Sequence, residues 1–135
     1  MYHMPRKTAS NILLIACLAL AANLLPVPAR AAELLMFESR SCIYCLRWDR
    51  DVGSVYDKTP EAKLLPLRRI DVSQQLASGV TLQSPVRYTP TFVVVDKGRE
   101  IGRIEGFSSD DSFWGLLDEL AAKVVAKIAP EPSRI

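Results

Sequence analysis

The chain contains little histidine and little cysteine, which limits the chemistry open to it. Its 135 residues include one histidine and three cysteines. The histidine, His3, lies in the first segment, so no Cys–His nucleophile pair and no Cys/His zinc or copper site can form in the rest of the chain. We therefore expect neither a metal nor a bound cofactor.

A basic face is also missing. The chain has 17 basic and 15 acidic residues, and three of the basic ones fall in residues 1–31, which contain no acidic residue. The remainder therefore has 14 basic and 15 acidic side chains and a formal charge of −1. Binding to nucleic acid needs clustered positive charge, so this class of partner is excluded.

No hydrophobic run is long enough for a typical membrane span. The apolar stretch Ile12–Leu25 has about 14 residues, whereas a bilayer requires about 20. Arg6 and Lys7 precede it, and Ala29–Ala31 has the small residues of a cleavage site. We interpret residues 1–31 as a secretory signal peptide, which predicts a periplasmic protein.

Two alternatives for this segment stay open. It could remain uncleaved as an N-terminal membrane anchor. The sequence ending in Cys17 also resembles a lipobox, so a lipid anchor at this cysteine is the second alternative. In the signal-peptide interpretation, residues 32–129 form one domain that retains two cysteines, and residues 130–135 form a C-terminal tail.

The rest of the chain alternates between strand-like and helix-like patterns. Parallel strands joined by helices and followed by a hairpin predict an α/β fold, with a four-stranded mixed sheet flanked by helices. The predicted elements are strand Glu33–Glu38, a helix from Ser41 to Tyr56, strand Leu64–Ile70, a short helix Ser73–Ser78, strand Thr91–Val95, strand Glu100–Ile104 and a helix from Ser108 to Ile128.

Both long helices are predicted from apolar residues three or four positions apart, which form one buried face. Ser41 and Ser108 are the predicted N-caps, the second in a capping box with Asp111. The predicted buried faces are Cys45, Trp48, Val52, Val55 and Tyr56 in the first helix, and Phe113, Leu116, Leu117, Leu120, Val124 and Ile128 in the last.

Cys42 and Cys45 are separated by two residues at the predicted start of the first helix. Unpaired N–H groups at a helix N-terminus favour an anion and lower a thiol pKa from ~8.5 toward ~7. Cys45 lies one turn deeper and faces the core. We therefore predict that Cys42 attacks a substrate disulfide and that Cys45 resolves the mixed disulfide.

Two other interpretations of this pair remain. A disulfide oxidant or isomerase would run the same chemistry in another direction, and a binding module would use the pair only as a structural disulfide. The intervening residues, Ile43 and Tyr44, include no histidine that would strongly stabilise a thiolate. This absence favours a reductase.

Three motifs together resemble the thioredoxin superfamily over nearly the whole domain. They are the Cys-Ile-Tyr-Cys sequence of residues 42–45, the segment Val86–Phe92, and Gly98 and Gly106 in the final hairpin. The resemblance implies the thioredoxin fold and a thiol–disulfide oxidoreductase activity.

In that family, the proline that matches Pro90 is cis and lies against the active-site sulfur atoms. The backbone beside it binds the substrate peptide as an added strand. The resemblance therefore implies that Pro90 shapes the substrate site and that Thr89 offers its hydroxyl and backbone groups to the substrate.

This sequence also departs from thioredoxin itself. Ser41 stands where a tryptophan usually precedes the first cysteine, and Met36 stands where a buried aspartate usually accepts a proton from the second. Glu38 is a candidate replacement for that aspartate.

The Ser-Cys-x-x-Cys and Arg-Tyr-Thr-Pro-Thr sequences most resemble the small periplasmic thioredoxins of bacterial sulfur-oxidation (Sox) clusters. This likeness implies a protein that reduces disulfides of partner proteins, the sulfur-carrier protein of the pathway among them. Its electrons would come from a membrane thiol donor. We expect a monomer.

Overall fold

The computed structural model describes residues 31–129. The C-terminal tail, Cys17 and nearly all of the predicted signal peptide lie outside the described residues. The elements are β1 (Glu33–Glu38), α1 (Ile43–Trp48), a π-helical segment (Asp49–Gly53), α2 (Ser54–Tyr56), α3 (Pro60–Leu64), β2 (Leu67–Asp71), a 3₁₀ helix (Val72–Ala77), β3 (Thr91–Asp96), β4 (Arg99–Glu105) and α4 (Asp110–Ile128).

The four strands form one mixed sheet in the order β2-β1-β3-β4. β1 runs parallel to β2 and antiparallel to β3, and β3 pairs antiparallel with β4. The α/β fold class predicted from the sequence is therefore confirmed. Phe37 of β1 pairs with Thr91 of β3, so the chain leaves β1 and enters β3 at the same edge of the sheet.

The two faces of the sheet are covered differently. Because side chains alternate along a strand, Leu34 and Met36 of β1 pack into the core beneath α1 and α4, while Leu35 and Phe37 point the other way. The second face is covered by the 3₁₀ helix and the loop after it. The partly buried side chains of this cover are Val72, Val80 and Leu82.

Both predicted N-caps are wrong by one residue. Cys42 itself caps α1, because its extended backbone directs the sulfur to the N–H of Cys45. Ser109 rather than Ser108 caps α4, and its Oγ accepts a hydrogen bond from the N–H of Ser112 at 3.2 Å. Ser108 and Ser109 are equally plausible caps by residue type, and the extended backbone angles of Cys42 and Ser109 decide both cases.

The second predicted strand, Leu64–Ile70, begins later than predicted, because a helix occupies its start. Thr59 caps α3 by accepting the N–H of Ala62 at 3.3 Å, and Pro60 stands at the start of the helix, where its missing N–H costs nothing. The helix continues through Leu64, so β2 begins only at Leu67.

Three residues predicted to be buried are exposed. The faces of both long helices are otherwise buried as expected, but Val55, Leu116 and Ile128 are 44%, 43% and 64% exposed. The π-helical segment changes the rotation of the first helix before Val55. The other two residues lie at the borders of a narrower apolar stripe than the sequence pattern indicates.

Trp48 is the centre of the main core. It is fully buried, and its ring centroid lies 5.2 Å from that of Phe92, 5.6 Å from Phe113 and 6.2 Å from Tyr56. A Cβ at Gly53 would lie 2.9 Å from Cζ3 of Trp48, so the chain can pass over the indole here only as glycine. The first helix is thereby held to the sheet and to α4.

We expect Gly102→Ala to destabilise the fold by about 1–3 kcal/mol, the usual cost of overpacking a core. The added Cβ would lie 2.5 Å from Cδ2 of the buried Leu120 in α4. Urea unfolding measures the change. Gly115→Ala is the matched control, since its Cβ meets nothing within 4 Å. It should stabilise α4 by about 0.5–1 kcal/mol, and equal stabilities for the two variants would contradict the packing.

Candidate active site

Cys42 and Cys45 are joined by a disulfide at the start of α1. The turn after β1 positions the pair, because the N–H of Cys42 donates to the carbonyl of Ser39 at 3.2 Å. The sulfur of Cys42 accepts the N–H of Cys45 at 3.0 Å. Cys42 thus lies at the rim of the helix, whereas Cys45 lies one turn further in.

The two cysteines differ little in total exposure, at 7% and 3%, but they differ in surroundings. Cys45 shares its helix face with Trp48, and Met36 of β1 is fully buried in the same cluster. The methionine that the sequence places at the usual aspartate position therefore does lie in the core, where its thioether cannot take up a proton.

The loop that contains Thr89 and Pro90 meets this turn. The Thr89–Pro90 peptide bond is cis, and the carbonyl of the buried Pro90 accepts the N–H of Gly106 at 2.7 Å. The Oγ1 of Thr89 lies 3.3 Å from the Oγ of Ser39, within hydrogen-bond distance. The fold therefore brings the four residues predicted for the site to one edge of the sheet.

Four large apolar side chains around the disulfide are exposed to solvent. We call them the apolar collar: Ile43, Tyr44, Leu46 and Tyr88, which are 69%, 52%, 66% and 64% exposed. The sequence analysis did not assign them to the site. The available signal for the three on the first helix was their position, since a helix that buries Cys42, Cys45 and Trp48 turns the residues between them outward.

A cavity of about 220 Å³ lies beside the disulfide and is lined by both cysteines. Its charged lining residues are Glu38 of β1, Arg40 of the turn after β1, Asp49 of the π-helical segment and Asp71 of β2. The pKa of Asp71 lies below its usual range, because the hydroxyl and the N–H of Ser73 both donate to its carboxylate.

Arg69 of β2 binds two of these carboxylates. Its guanidinium donates to Asp49 at 2.7 and 3.1 Å and to Glu38 through Nε at 3.1 and 3.2 Å, with a further contact from Nη2 to Glu38. Hydrogen bonds from Glu38 and then Asp49 raise the pKa of Arg69 above its ordinary value. We call these three residues the carboxylate–arginine triad. Of the three, the sequence identified only Glu38, as a candidate replacement for the usual buried aspartate.

The described part of the chain offers no metal centre. Within residues 31–129, no three His, Cys, Asp or Glu side chains are grouped so that they could hold a metal ion. Over the same residues, no helix has the length and hydrophobicity needed to cross a membrane.

Comparisons with known proteins agree with this geometry. The periplasmic thioredoxin SoxS from Paracoccus pantotrophus, in its reduced form, is 39% identical; the match covers 68% of this chain and 97% of that one, with a TM-score of 0.66. Thioredoxins from Thermus thermophilus and Fasciola hepatica are 22% and 20% identical, with TM-scores of 0.56 and 0.52. Their matches cover 88% and 78% of this chain, and 90% and 92% of those proteins. No curated protein matches.

The resemblance drawn from the sequence is therefore confirmed. The two more distant thioredoxins show the fold alone, whereas SoxS is a relative at the level of sequence. The chain combines this fold with the cysteine pair of a thiol–disulfide oxidoreductase. A family model of the thioredoxin-like domain matches residues 29–121, and the chain belongs to that family.

Proposed function

We propose that this protein is a periplasmic reductase of disulfides in partner proteins. Cys42 is the attacking residue, Cys45 the resolving residue, and Thr89 and Pro90 bind the substrate backbone. The sulfur-carrier protein of a sulfur-oxidation pathway is the proposed partner, and a membrane thiol donor supplies the electrons. The observation that carries the proposal is the Cys42–Cys45 disulfide at the start of α1, beside the exposed apolar collar.

The surroundings of the disulfide support a protein substrate. The apolar collar offers solvent-exposed surface beside the disulfide, and burying such surface favours association. The loop of Thr89 and Pro90 lies at the same edge, hydrogen-bonded to the turn before Cys42. A periplasmic location is supported by the 39% identity to SoxS, which is itself described as periplasmic.

The reaction transfers two electrons to the substrate. The thiolate of Cys42 attacks one sulfur of the substrate disulfide, and the other substrate sulfur leaves as a thiolate. Cys45 then loses its proton and attacks the sulfur of Cys42, which forms the Cys42–Cys45 disulfide and releases the second substrate thiolate. Both substrate thiolates take up a proton, and a dithiol donor reverses the change in the protein.

Replacing the attacking sulfur should abolish the activity. We expect Cys42→Ser to reduce insulin no faster than dithiothreitol alone, because a hydroxyl cannot form the mixed disulfide. The turbidity of precipitating insulin chains measures the rate. Gly115→Ala, on the outer face of α4, is the control and should keep the wild-type rate; full activity in the serine variant would show that the disulfide is only structural.

The direction of electron flow is set by the midpoint potential. We expect a value near that of a thioredoxin, roughly −270 mV, because the residues between the cysteines contain no histidine. Equilibration with glutathione redox buffers, read by alkylation of the free thiols, measures it. A value close to that of a strong oxidant, roughly −120 mV, would contradict the reductase and favour the oxidant.

The partner can be identified by blocking resolution. We expect Cys45→Ser to accumulate as a mixed disulfide with its substrate in periplasm, because the serine cannot release it. Mass spectrometry of the complex, before and after reduction, identifies the partner. The doubly substituted Cys42→Ser, Cys45→Ser protein is the control. Capture of other proteins without the sulfur carrier would remove the proposed partner but leave the reductase.

A further inference from the structure

The resolving step has a requirement that the cysteine pair alone does not meet. Cys45 must lose its proton before its sulfur can attack, yet it is 3% exposed and packs among apolar side chains. Such surroundings disfavour a charged sulfur. Met36, in the same cluster, has no group that could take the proton. The proton acceptor must therefore be reached from another side.

The cavity beside the disulfide provides that side. At about 220 Å³ it has room for several water molecules, and carboxylates and backbone around it would hold them. The charged groups that face it are Glu38 from β1, Arg40 from the turn, Asp49 from the first helix and Asp71 from the end of β2. Arg69 of β2 does not line the cavity but contacts two of its lining residues, Glu38 and Asp49.

Among these groups Asp49 has the best position relative to Cys45. It is four residues further along the same helix, and its backbone N–H donates to the carbonyl of Cys45. Side chains four residues apart lie one above the other on the same helix face. The carboxylate of Asp49 is 37% exposed, so it borders both the cavity and solvent.

The other charged groups are less suited to the task. Arg40 can only donate, and Asp71 is already bound by the hydroxyl and the N–H of Ser73 at 2.6 and 2.9 Å. Arg69 binds both oxygens of Glu38, as it does those of Asp49, but Glu38 lies on β1 and not on the helix of Cys45. The triad carries one net negative charge.

We propose that Asp49 accepts the proton of Cys45 through water in this cavity, and that Arg69 and Glu38 hold its carboxylate in position. The proposal rests on the resolving role of Cys45 given above. As the proton moves to Asp49, the sulfur of Cys45 bonds to that of Cys42. The bond between Cys42 and the substrate breaks, its electron pair leaves with the substrate sulfur, and that thiolate then takes up a proton.

The two steps can be separated with Ellman's disulfide as substrate. Attack by Cys42 releases a first coloured thiolate, and closure of the Cys42–Cys45 disulfide releases a second. For Asp49→Asn we expect an unchanged first phase and a second phase slowed about 100-fold or more at about pH 7, the lower end of general-base effects. The difference should shrink above about pH 9, where hydroxide removes the proton.

The sign of the change distinguishes a proton acceptor from a mere charge. If Asp49 acted only through its negative charge, its removal would favour the thiolate of Cys45 and would make the second phase faster at neutral pH. Wild type should also show a solvent deuterium isotope effect on the second phase that Asp49→Asn lacks. A faster second phase, or an unchanged isotope effect, overturns the proposal.

Asp51→Asn is the matched control. Asp51 lies in the same π-helical segment and is paired with Arg50 at 2.8 Å, but it does not line the cavity. Its two phases should equal those of wild type at every pH. Glu38→Gln is a second variant that leaves Asp49 in place; we expect a smaller slowing of the second phase alone, and no slowing would remove Glu38 from the triad's role.

This outcome is separable from that of the proposed function. If wild type reduces insulin while Asp49→Asn and Asp51→Asn behave alike across the pH range, only the proton acceptor is wrong. If wild type releases no second thiolate, Cys45 does not resolve mixed disulfides and the reductase itself is wrong. Circular dichroism and the urea midpoint of each variant establish that the fold is retained.

Discussion

The packing of Trp48 fixes the geometry on which the rest of the structure depends. Its indole lies against Phe92 of β3 and Phe113 of α4, and the backbone at Gly53 passes directly over it. Aromatic contacts of this kind are directional, so they set the rotation of the first helix as well as its depth. That rotation places Cys45 inward and Cys42 at the rim. A substitution that loosens the packing of the indole would therefore alter the position of the disulfide more than the far end of the sheet.

The charged groups of this site lie beside the cysteines and not in the core beneath them. The core cluster that contains the cysteines is built of hydrophobic side chains, and the charged groups lie around a cavity that opens to solvent. Arg69 links the strand β2 to the helix through Asp49 and to β1 through Glu38. Exposed ion pairs contribute little stability on average, so their presence here is better explained by the placement of a carboxylate near the sulfur atoms. Hydrophobic packing holds the fold, and the polar groups adjust the chemistry.

Much of this architecture could be predicted from the sequence, because its strongest patterns are local. Short apolar runs define the central strands, and the cysteine spacing together with the proline segment identifies the fold. Both helix caps were predicted one residue too early, and α3 was not among the predicted elements, because several local assignments fit the sequence equally well. The carboxylate–arginine triad could not be predicted, since Arg69 is 31 residues from Glu38 and 20 from Asp49. Each of its members looks like an ordinary surface charge until the sheet brings them together.

The cap of the first helix has a consequence for the redox couple. The sulfur of Cys42 accepts the N–H at the helix start, and in the proposed function it also exchanges electrons with the substrate. A charged acceptor binds an N–H group more strongly than a neutral one, so the thiolate caps better than the disulfide. Oxidation state and helix-end stability are therefore thermodynamically linked, and each shifts the equilibrium of the other by the same free energy. Residues that only shape the helix start thus contribute to the driving force for electron transfer without touching either sulfur atom.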